Sequence, residues 1–538
     1  MLYFIPSWYS TNEWKEKEQF WYKRRMQTEM DDTVKQIQLF NRNDICDFQI
    51  LLLSFAPNFR HFLHRQSVFR APYWSCFDAI QCVKRKKPAV LSFHNLNWPK
   101  NVEFIYSQFA VIAMLNNEKY AQIEFGEDGN PIQVDIYGNG ELKRKNIYDD
   151  RGFVSCTSIY ENGEKAYEQY LSENGIWKIC HFADGHVAIN PKSNWFLIKN
   201  DKVEMEIPFS KQYYDSIEEV IEEVLRAFLS YTNADDIFCA ALHEQHMNML
   251  DKILFDRRTI FSAFGDRIIA EDNEKLKRLS AHANYIVADS PNNLRAIKKA
   301  TGIESSRIVN IQPYDTRIDI GISQQLHVQK ILLPVDSLSK ETFEEAIKCI
   351  AGYLLTNQKA QVHLFTRNSK YDCEEILLDI AGQVLKTNGY PPEWAKKENQ
   401  KKFDILLDEE EQIPVRFVVE QCIDELSVNK CVREQRILID LGDNPDLFLQ
   451  IACVSMGIPQ ILKRETQYMH NGKNGIVNED LHRLGEDVGF YLENITNWNH
   501  AEIYSYKLSE KNTTKELVKQ WKEVIENIEE CTSITAGN

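Results

Sequence analysis

The sequence predicts a mixed α/β protein: two doubly wound, Rossmann-like lobes in series, the first carrying an inserted antiparallel β-meander. Three observations lead there. Near both ends of the chain, short and almost wholly apolar runs alternate with amphipathic segments. Between them, about a hundred residues switch to alternating hydrophobicity punctuated by Asn-Gly and Asp-Gly pairs, and afterwards the first pattern resumes on either side of a turn-rich stretch. A run that is apolar on both faces suits a parallel strand covered by helices. Alternation broken by tight turns suits antiparallel hairpins.

The first lobe opens with a strand over 2–5, a helix over 32–40 that carries Val34, Ile37 and Leu39 among polar residues, and a nearly all-apolar strand over 48–55. From about 104 to 207 the period is two. Strand-like runs at 102–106, 120–125, 132–137 and 153–160 stand among the pairs Asp128-Gly129, Asn139-Gly140, Asn162-Gly163, Asn174-Gly175 and Asp184-Gly185. These pairs tolerate the positive φ angles of tight hairpin turns. Because the α/β pattern returns afterwards, the meander reads as an insertion.

It returns with helices over 216–231 and 273–281, strands over 237–241, 259–263 and 285–288, and a helix started by Ser290-Pro291. Strands separated by helices imply right-handed crossovers and a doubly wound sheet. Residues 311–321 lose periodicity and form a hinge, after which strands are expected over 330–335, 361–366, 415–419 and 436–440, followed by a helix and strand over 445–462. Thr513-x-x-Glu516 has the form of a capping box, and Leu517, Trp521, Val524, Ile525 and Ile528 share one face of the helix it begins. The expected division is 1–103 and 211–325 for the first lobe, 104–210 for the meander, 326–500 for the second lobe, and 501–538 for a C-terminal helical segment packing back across the lobes.

A chain of 538 residues exceeds a single core. Its formal charge of -16 would repel a nucleic-acid backbone. The basic runs Lys84-Arg85-Lys86-Lys87 and Lys396-Lys397 with Lys401-Lys402 are short and read as solvated faces. The 12 cysteines fall singly, with neither a Cys-x-x-Cys nor zinc-like His/Cys spacing, and read as reduced core thiols. Met1–Trp8 lacks a basic start and a cleavage site, and no apolar run is long enough to span a bilayer, so a cytoplasmic protein is expected. His243-Glu-Gln-His246 lacks a third ligand and reads as a surface turn with a structural role. Asp289 and Asp315 read as capping or turn residues. Neither a Gly-x-Ser-x-Gly elbow, a Walker loop nor an Asp-x-Asp occurs, so hydrolase, NTPase and metal-dependent transferase readings have no signature.

The stretch 446–477, DLFLQIACVSMGIPQILKRETQYMHNGKNGIV, carries the functional reading. Its helix, Gly-x-Pro turn, strand and Asn-Gly loop, with Gly457, Pro459, Ile461, Asn471-Gly472 and Asn474-Gly475, resemble the donor-binding segment of retaining GT-B glycosyltransferases. That resemblance implies two glutamates on the helix, one facing the sugar and one holding the donor ribose. Counting back from Gly457 by five and by thirteen residues reaches Ala452 and Asn444, neither of which supplies a carboxylate. The loop 6–14 has no glycine to bring backbone amides close to a ligand, and 463–466 lacks a Gly pair. Lys463 and Arg464, with Asn474 and Gly475, are the candidate contacts to a diphosphate or carbohydrate.

Over nearly the whole chain the sequence also resembles the first type of the accessory Sec system proteins called Asp. The stretches that carry this are MLYFIPSWYS at Met1, DDTVKQIQLF at Asp31, FRHFLHRQ at Phe59, DDRGFVSCTSIYENGEKAYEQYL at Asp149 and QPYDTRIDIG at Gln312. The resemblance implies a GT-B fold with the meander in the first lobe. It also implies a role without catalysis in exporting glycosylated serine-rich repeat adhesins, and contact with the adhesin, including its N-acetylglucosamine. Partners implied are the two sister Asp proteins and the accessory SecA motor, which would bring the protein to the membrane through the translocase. No catalytic residue, metal or cofactor is expected. The alternative is an active retaining glycosyltransferase acting on a Ser/Thr-rich adhesin, gripping its donor through Lys463 and Arg464.

Overall fold

A computed structural model describes residues 1–10, 13–16, 31–126, 128–199, 202–267, 273–396 and 415–535. Lys397, Lys401 and Lys402 of the second basic run lie outside these residues. The chain divides into two compact units, one built mainly from Asp31–Pro313 and the other from Tyr314–Lys519. The N-terminal strand and the C-terminal helix from Gln520 onward belong to the first.

The first unit holds a seven-stranded sheet in the spatial order Ile308–Asn310, Tyr285–Ala288, Arg258–Ala263, Ile237–Ala241, Leu2–Ile5, Phe48–Leu52, Tyr73–Ser75. Every neighbouring pair is parallel. Phe4, Ile5, Ile50, Leu51, Phe238 and Ala240 are wholly buried, as the two-faced apolar runs require. Asp31 caps the helix Asp32–Asn43 by accepting from Val34 N. This helix turns Val34, Ile37 and Phe40 inward; Leu39, expected in that stripe, is only half-buried, because the position after it fits the 3.6-residue period.

The meander is a ten-stranded antiparallel sheet whose strands run mostly in sequence order, from Glu103–Tyr106 to Val187–Ile189, with Tyr213–Tyr214 closing one edge. All five anticipated Gly positions have positive φ, from 77° at Gly140 to 97° at Gly185. A sixth turn, Asn116-Asn117, joins Ala110–Leu115 to Glu118–Phe125 with φ of 52° and 65°. Asparagine adopts this left-handed geometry without help from glycine, so the Asn-Gly search passed over it.

The motif Asp149–Phe153 ties the meander to the parallel sheet's helices. Arg151 donates through Nη1 and Nη2 to Asp78 Oδ2 and Oδ1 at 2.8 and 2.7 Å, and through Nε and Nη2 to Asp149 at 2.6 and 2.7 Å. Asp78 lies in the helix Cys76–Gln81, so this buried guanidinium bridges two substructures. Asp150 accepts from Arg60 N at 2.8 Å, at the start of the helix Phe59–Arg65. Gly152 has φ of 87°, and a Cβ there would lie 2.5 Å from Ala89 O, so both conformation and space exclude other residues.

The second unit has a six-stranded parallel sheet in the order Phe417–Gln421, Ala360–Thr366, Gln329–Pro334, Gln435–Asp440, Gln460–Leu462, Gly475–Val477. Numbered by sequence within the unit, this is 3-2-1-4-5-6, the doubly wound arrangement. The third strand begins two residues later than expected, at Phe417. The C-terminal helix Thr514–Thr535 starts where Thr513 Oγ1 accepts from Glu516 N, and its stripe Leu517, Trp521, Val524, Ile525 and Ile528 is buried. Trp521 meets Phe40 of the first unit edge-on at 5.5 Å.

Candidate functional site

In a doubly wound sheet, ligands bind beyond the carboxyl ends of the strands where the winding reverses. In the second unit that point lies between Gln329–Pro334 and Gln435–Asp440, so the residues to inspect are those just after Pro334 and Asp440. They are acidic. Asp336 accepts from Arg367 N at 2.7 Å and from the Thr366 hydroxyl. Asp440 is buried and accepts from Gly442 N at 3.0 Å and Asp446 N at 2.7 Å; burial pushes its carboxyl up to about 6. Asp446 caps the helix Leu447–Met456, accepting from Leu449 N at 3.0 Å, and is ion-paired with Arg367. A Cβ on Gly442 would lie 2.5 Å from Ser337 Oγ, which would have to turn aside.

This arrangement decides what the helix N-terminus can bind. Such a terminus attracts a phosphate because its first amides are unpaired and its dipole is positive. Here the Asp446 carboxylate already occupies an amide of the first turn, and two further carboxylates stand beside it against one guanidinium, Arg367. A diphosphate arriving there would meet these three carboxylates as well as Arg367.

The positions singled out in the sequence fall on the helix Leu447–Met456, the loop before it and the segments that follow it. Asn444 is exposed and accepts from Arg464 Nη2 at 3.0 Å. Lys463 Nζ lies 3.0 Å from Asp443, which is itself exposed. Lys463 and Arg464 are therefore side by side at the surface, each with an intramolecular partner. Ala452 is 4% exposed, within a helix buried from Phe448 to Met456. Gly457 ends that helix with φ of 72°, and Ile458 N returns to Cys453 O at 2.8 Å. Pro459 O accepts from Leu438 N at 3.0 Å, passing the chain into the next strand. Asn474 is wholly buried; its Nδ2 donates to Tyr468 O at 2.8 Å and its Oδ1 accepts from His470 N at 2.9 Å. A Cβ on Gly475 would lie 2.3 Å from Gln460 O and 2.4 Å from Met469 Cγ. The Asn-Gly loop is thus held together by its own groups.

Sequence reasoning missed Asp336, Arg367, Asp440 and Asp446. Acidic residues at or just past the ends of two central strands were a readable signal, but only the sheet order shows that those strands are neighbours.

The corresponding point of the first unit is packed. Arg267 Nη2 lies 2.6 Å from Asp32, and Arg267 also pairs with Asp31 at 3.4 Å. The neighbouring cavity, lined by Asp32, Gln36, Ser262, Asp289 and Trp521, is about 10 Å³, space for roughly one water. Asp289 accepts from Gly265 N and from Asn293 Nδ2, each at 2.7 Å. His243 caps the helix Glu244–Ile253 by accepting from Gln245 N. His246 is not on a surface turn: it is buried, with Nε2 2.6 Å from Ala241 O and Nδ1 2.9 Å from the Tyr9 hydroxyl. Burial pushes it down to about 3, so it is a neutral core residue. A larger cavity of about 630 Å³ borders the edge strand Tyr73–Ser75 and includes Arg60, Arg85 and Arg151, which are paired with Asp150, Glu173, and Asp78 with Asp149.

Comparison with known proteins follows the same lines. The family model described as accessory Sec system protein, first Asp type, matches residues 1–528. The protein of that description from Streptococcus gordonii is 30% identical over 529 residues, 97% of this chain and 98% of its own. Among solved structures, the complex of accessory secretory proteins 1, 2 and 3 of Streptococcus pneumoniae contains a chain with a TM-score of 0.78 and 26% identity, covering 99% of this chain and 100% of that one. A pneumococcal O-GlcNAc transferase solved with UDP and GlcNAc shares the fold at a TM-score of 0.68 and 10% identity, covering 98% of each chain. The architecture is therefore that of a GT-B glycosyltransferase. Among the described residues no helix is long and apolar enough to cross a membrane.

Proposed function

The chain belongs to the family of accessory Sec system proteins of the first Asp type, and from that premise we propose that it is a transferase-shaped export factor without glycosyl-transfer activity. It serves the export of glycosylated serine-rich repeat adhesins from the cytoplasm. It does so by assembling with accessory secretory proteins 2 and 3 and by engaging the accessory SecA motor and the adhesin itself. The pneumococcal relative was solved in a complex of all three accessory secretory proteins, which supports the assembly.

One observation carries the absence of transfer: the second unit keeps the scaffold of a donor pocket without its chemistry. Gly457 and Pro459 retain the helix-to-strand turn, while Asn444 and Ala452 stand where the transferase resemblance implies carboxylates. Without a carboxylate the ribose diol loses its strong, charge-assisted acceptor. The acidic cluster of Asp336, Asp440 and Asp446, with Asp446 capping the helix, opposes the diphosphate as well. A fold shared with transferases does not supply their function.

Co-expression with accessory secretory proteins 2 and 3 should give a stable complex at low salt, and calorimetric titration with UDP- and GDP-sugars should show no heat of donor binding. Sugar transfer to a Ser/Thr-rich acceptor that is abolished by Arg464→Ala would establish the transferase reading instead. Binding of free N-acetylglucosamine without transfer would assign the sugar contact to the adhesin.

A further inference from the structure

The edge of the second unit's sheet brings Cys431 beside Glu420 and Cys422, which lie a few residues earlier in the chain. Cys422 follows the edge strand Phe417–Gln421, which carries Glu420, and Cys431 lies in the next helix, Glu425–Arg433. The two sulfurs and a Glu420 carboxylate oxygen all lie within 4.8 Å of one another. Cys422 and Cys431 are buried, at 4% and 7% exposure, while the Glu420 side chain is 32% exposed and gives the cluster a route to solvent.

The surroundings orient these groups as outer hydrogen-bond partners orient metal ligands. His363 Nδ1 lies 2.9 Å from Glu420 Oε1 and so orients the carboxylate. Gln435 Nε2 donates to Cys431 Sγ at 3.7 Å, a contact that stabilises sulfur as a thiolate. Cys422 N donates to Thr366 O at 3.0 Å, pinning the backbone beside the cluster.

We propose that Cys422, Cys431 and Glu420 bind a thiophilic divalent cation of the zinc(II) class, joining the edge strand to the following helix. Two sulfurs and one carboxylate oxygen suit a borderline-soft ion with tetrahedral preference. With metal–sulfur bonds of about 2.3 Å, the sulfur–sulfur edge of such a tetrahedron is roughly 3.8 Å, within reach of small rotamer changes here. Binding displaces the thiol protons, which leave to solvent by the Glu420 side, and the fourth position is taken by water. A second group, Glu345, Cys349 and His482, is a poorer candidate, because Lys348 Nζ already lies 2.9 Å from Glu345 Oε1.

The test uses the full chain, purified reduced under anaerobic conditions, loaded with zinc(II) and dialysed, with metal counted by mass spectrometry. About one zinc should stay bound in the wild type and in a Cys349→Ser control, and should be lost from Cys422→Ser and Cys431→Ser. Cobalt(II) should give thiolate-to-metal charge-transfer absorption that both serine variants abolish. His363→Ala should weaken binding by roughly tenfold or more, as loss of an orienting partner does. Equal metal content in the wild type and the Cys422→Ser/Cys431→Ser variant would overturn the proposal, as would a cobalt spectrum without thiolate character. A Cys422–Cys431 disulfide in the anaerobically reduced protein would overturn it too. The cobalt spectrum of Glu420→Gln, which keeps both thiols and its near-isosteric side chain, should change in its ligand-field bands while retaining the charge-transfer band.

Discussion

Replacing Arg151 with alanine removes the guanidinium on which two carboxylates of the first unit converge. Arg151 makes four charge-assisted hydrogen bonds of 2.6 to 2.8 Å, two to Asp78 and two to Asp149. The Asp149 side chain is 4% exposed and that of Asp78 is 21% exposed, so one orphaned carboxylate stays dry and the other is partly rehydrated. Removing one member of a fully buried pair costs about 3–5 kcal/mol, and the partial exposure of Asp78 places Arg151→Ala at roughly 3 kcal/mol. Chaotrope unfolding followed by tryptophan fluorescence, with hydrogen exchange of 76–81 and 149–153, reads this directly. Protection of both segments should fall together, since the contact joins them. The double variant Arg151→Ala/Asp78→Ala should be less destabilised than the sum of the single variants by about 1 kcal/mol or more, because contacting residues couple. A loss below about 0.5 kcal/mol, typical of surface substitutions, or strict additivity would refute the reasoning that this pair locks the meander to the helix Cys76–Gln81.

Three further outcomes are expected. Gly475→Ala should destabilise the second unit by about 1–3 kcal/mol, since its Cβ would overlap Gln460 O at 2.3 Å; an unchanged unfolding midpoint would refute the close approach. Asp440 titrates at about 6 in the folded chain against about 3.9 for a free carboxyl, so its protonated form is favoured by folding. The stability it contributes is complete below about pH 4 and lost as pH rises through 6, a change of about 2–3 kcal/mol. Asp440→Asn should therefore gain on the wild type between pH 4 and 7, and a constant difference across that window would contradict it. Trp521→Ala should cost about 3–5 kcal/mol in the first unit, because Trp521 is 2% exposed and packs on Phe40; a thermal-unfolding shift confined to the C-terminal helix would show that the helix packs independently.

Local chemistry made much of the fold readable. Two-faced apolar runs gave Leu2–Ile5 and Ile237–Ala241 at their observed bounds, and Ser290-Pro291 marked the start of Pro291–Thr301. These signals depend on a few adjacent residues. Where the determinant was less local, the reading slipped. The strand Phe417–Gln421 was placed two residues early, and Asn116-Asn117 escaped a search for glycine. His246 reads as part of a surface turn but is buried, in contact with Tyr9, which is distant in the chain.

The candidate site divides in the same way. The sequence by itself determined which side chains stand at positions 444 and 452, because residue identity requires no coordinates. It also determined the turn at Gly457, whose positive φ favours glycine. Only the tertiary structure decided that Asp336, Asp440, Asp446 and Arg367 share one end of a sheet, and that Cys422, Cys431 and Glu420 share one edge. Strand order and helix docking place these residues together, and the chain-long hydrophobic packing that fixes that order leaves no mark in any single stretch of sequence.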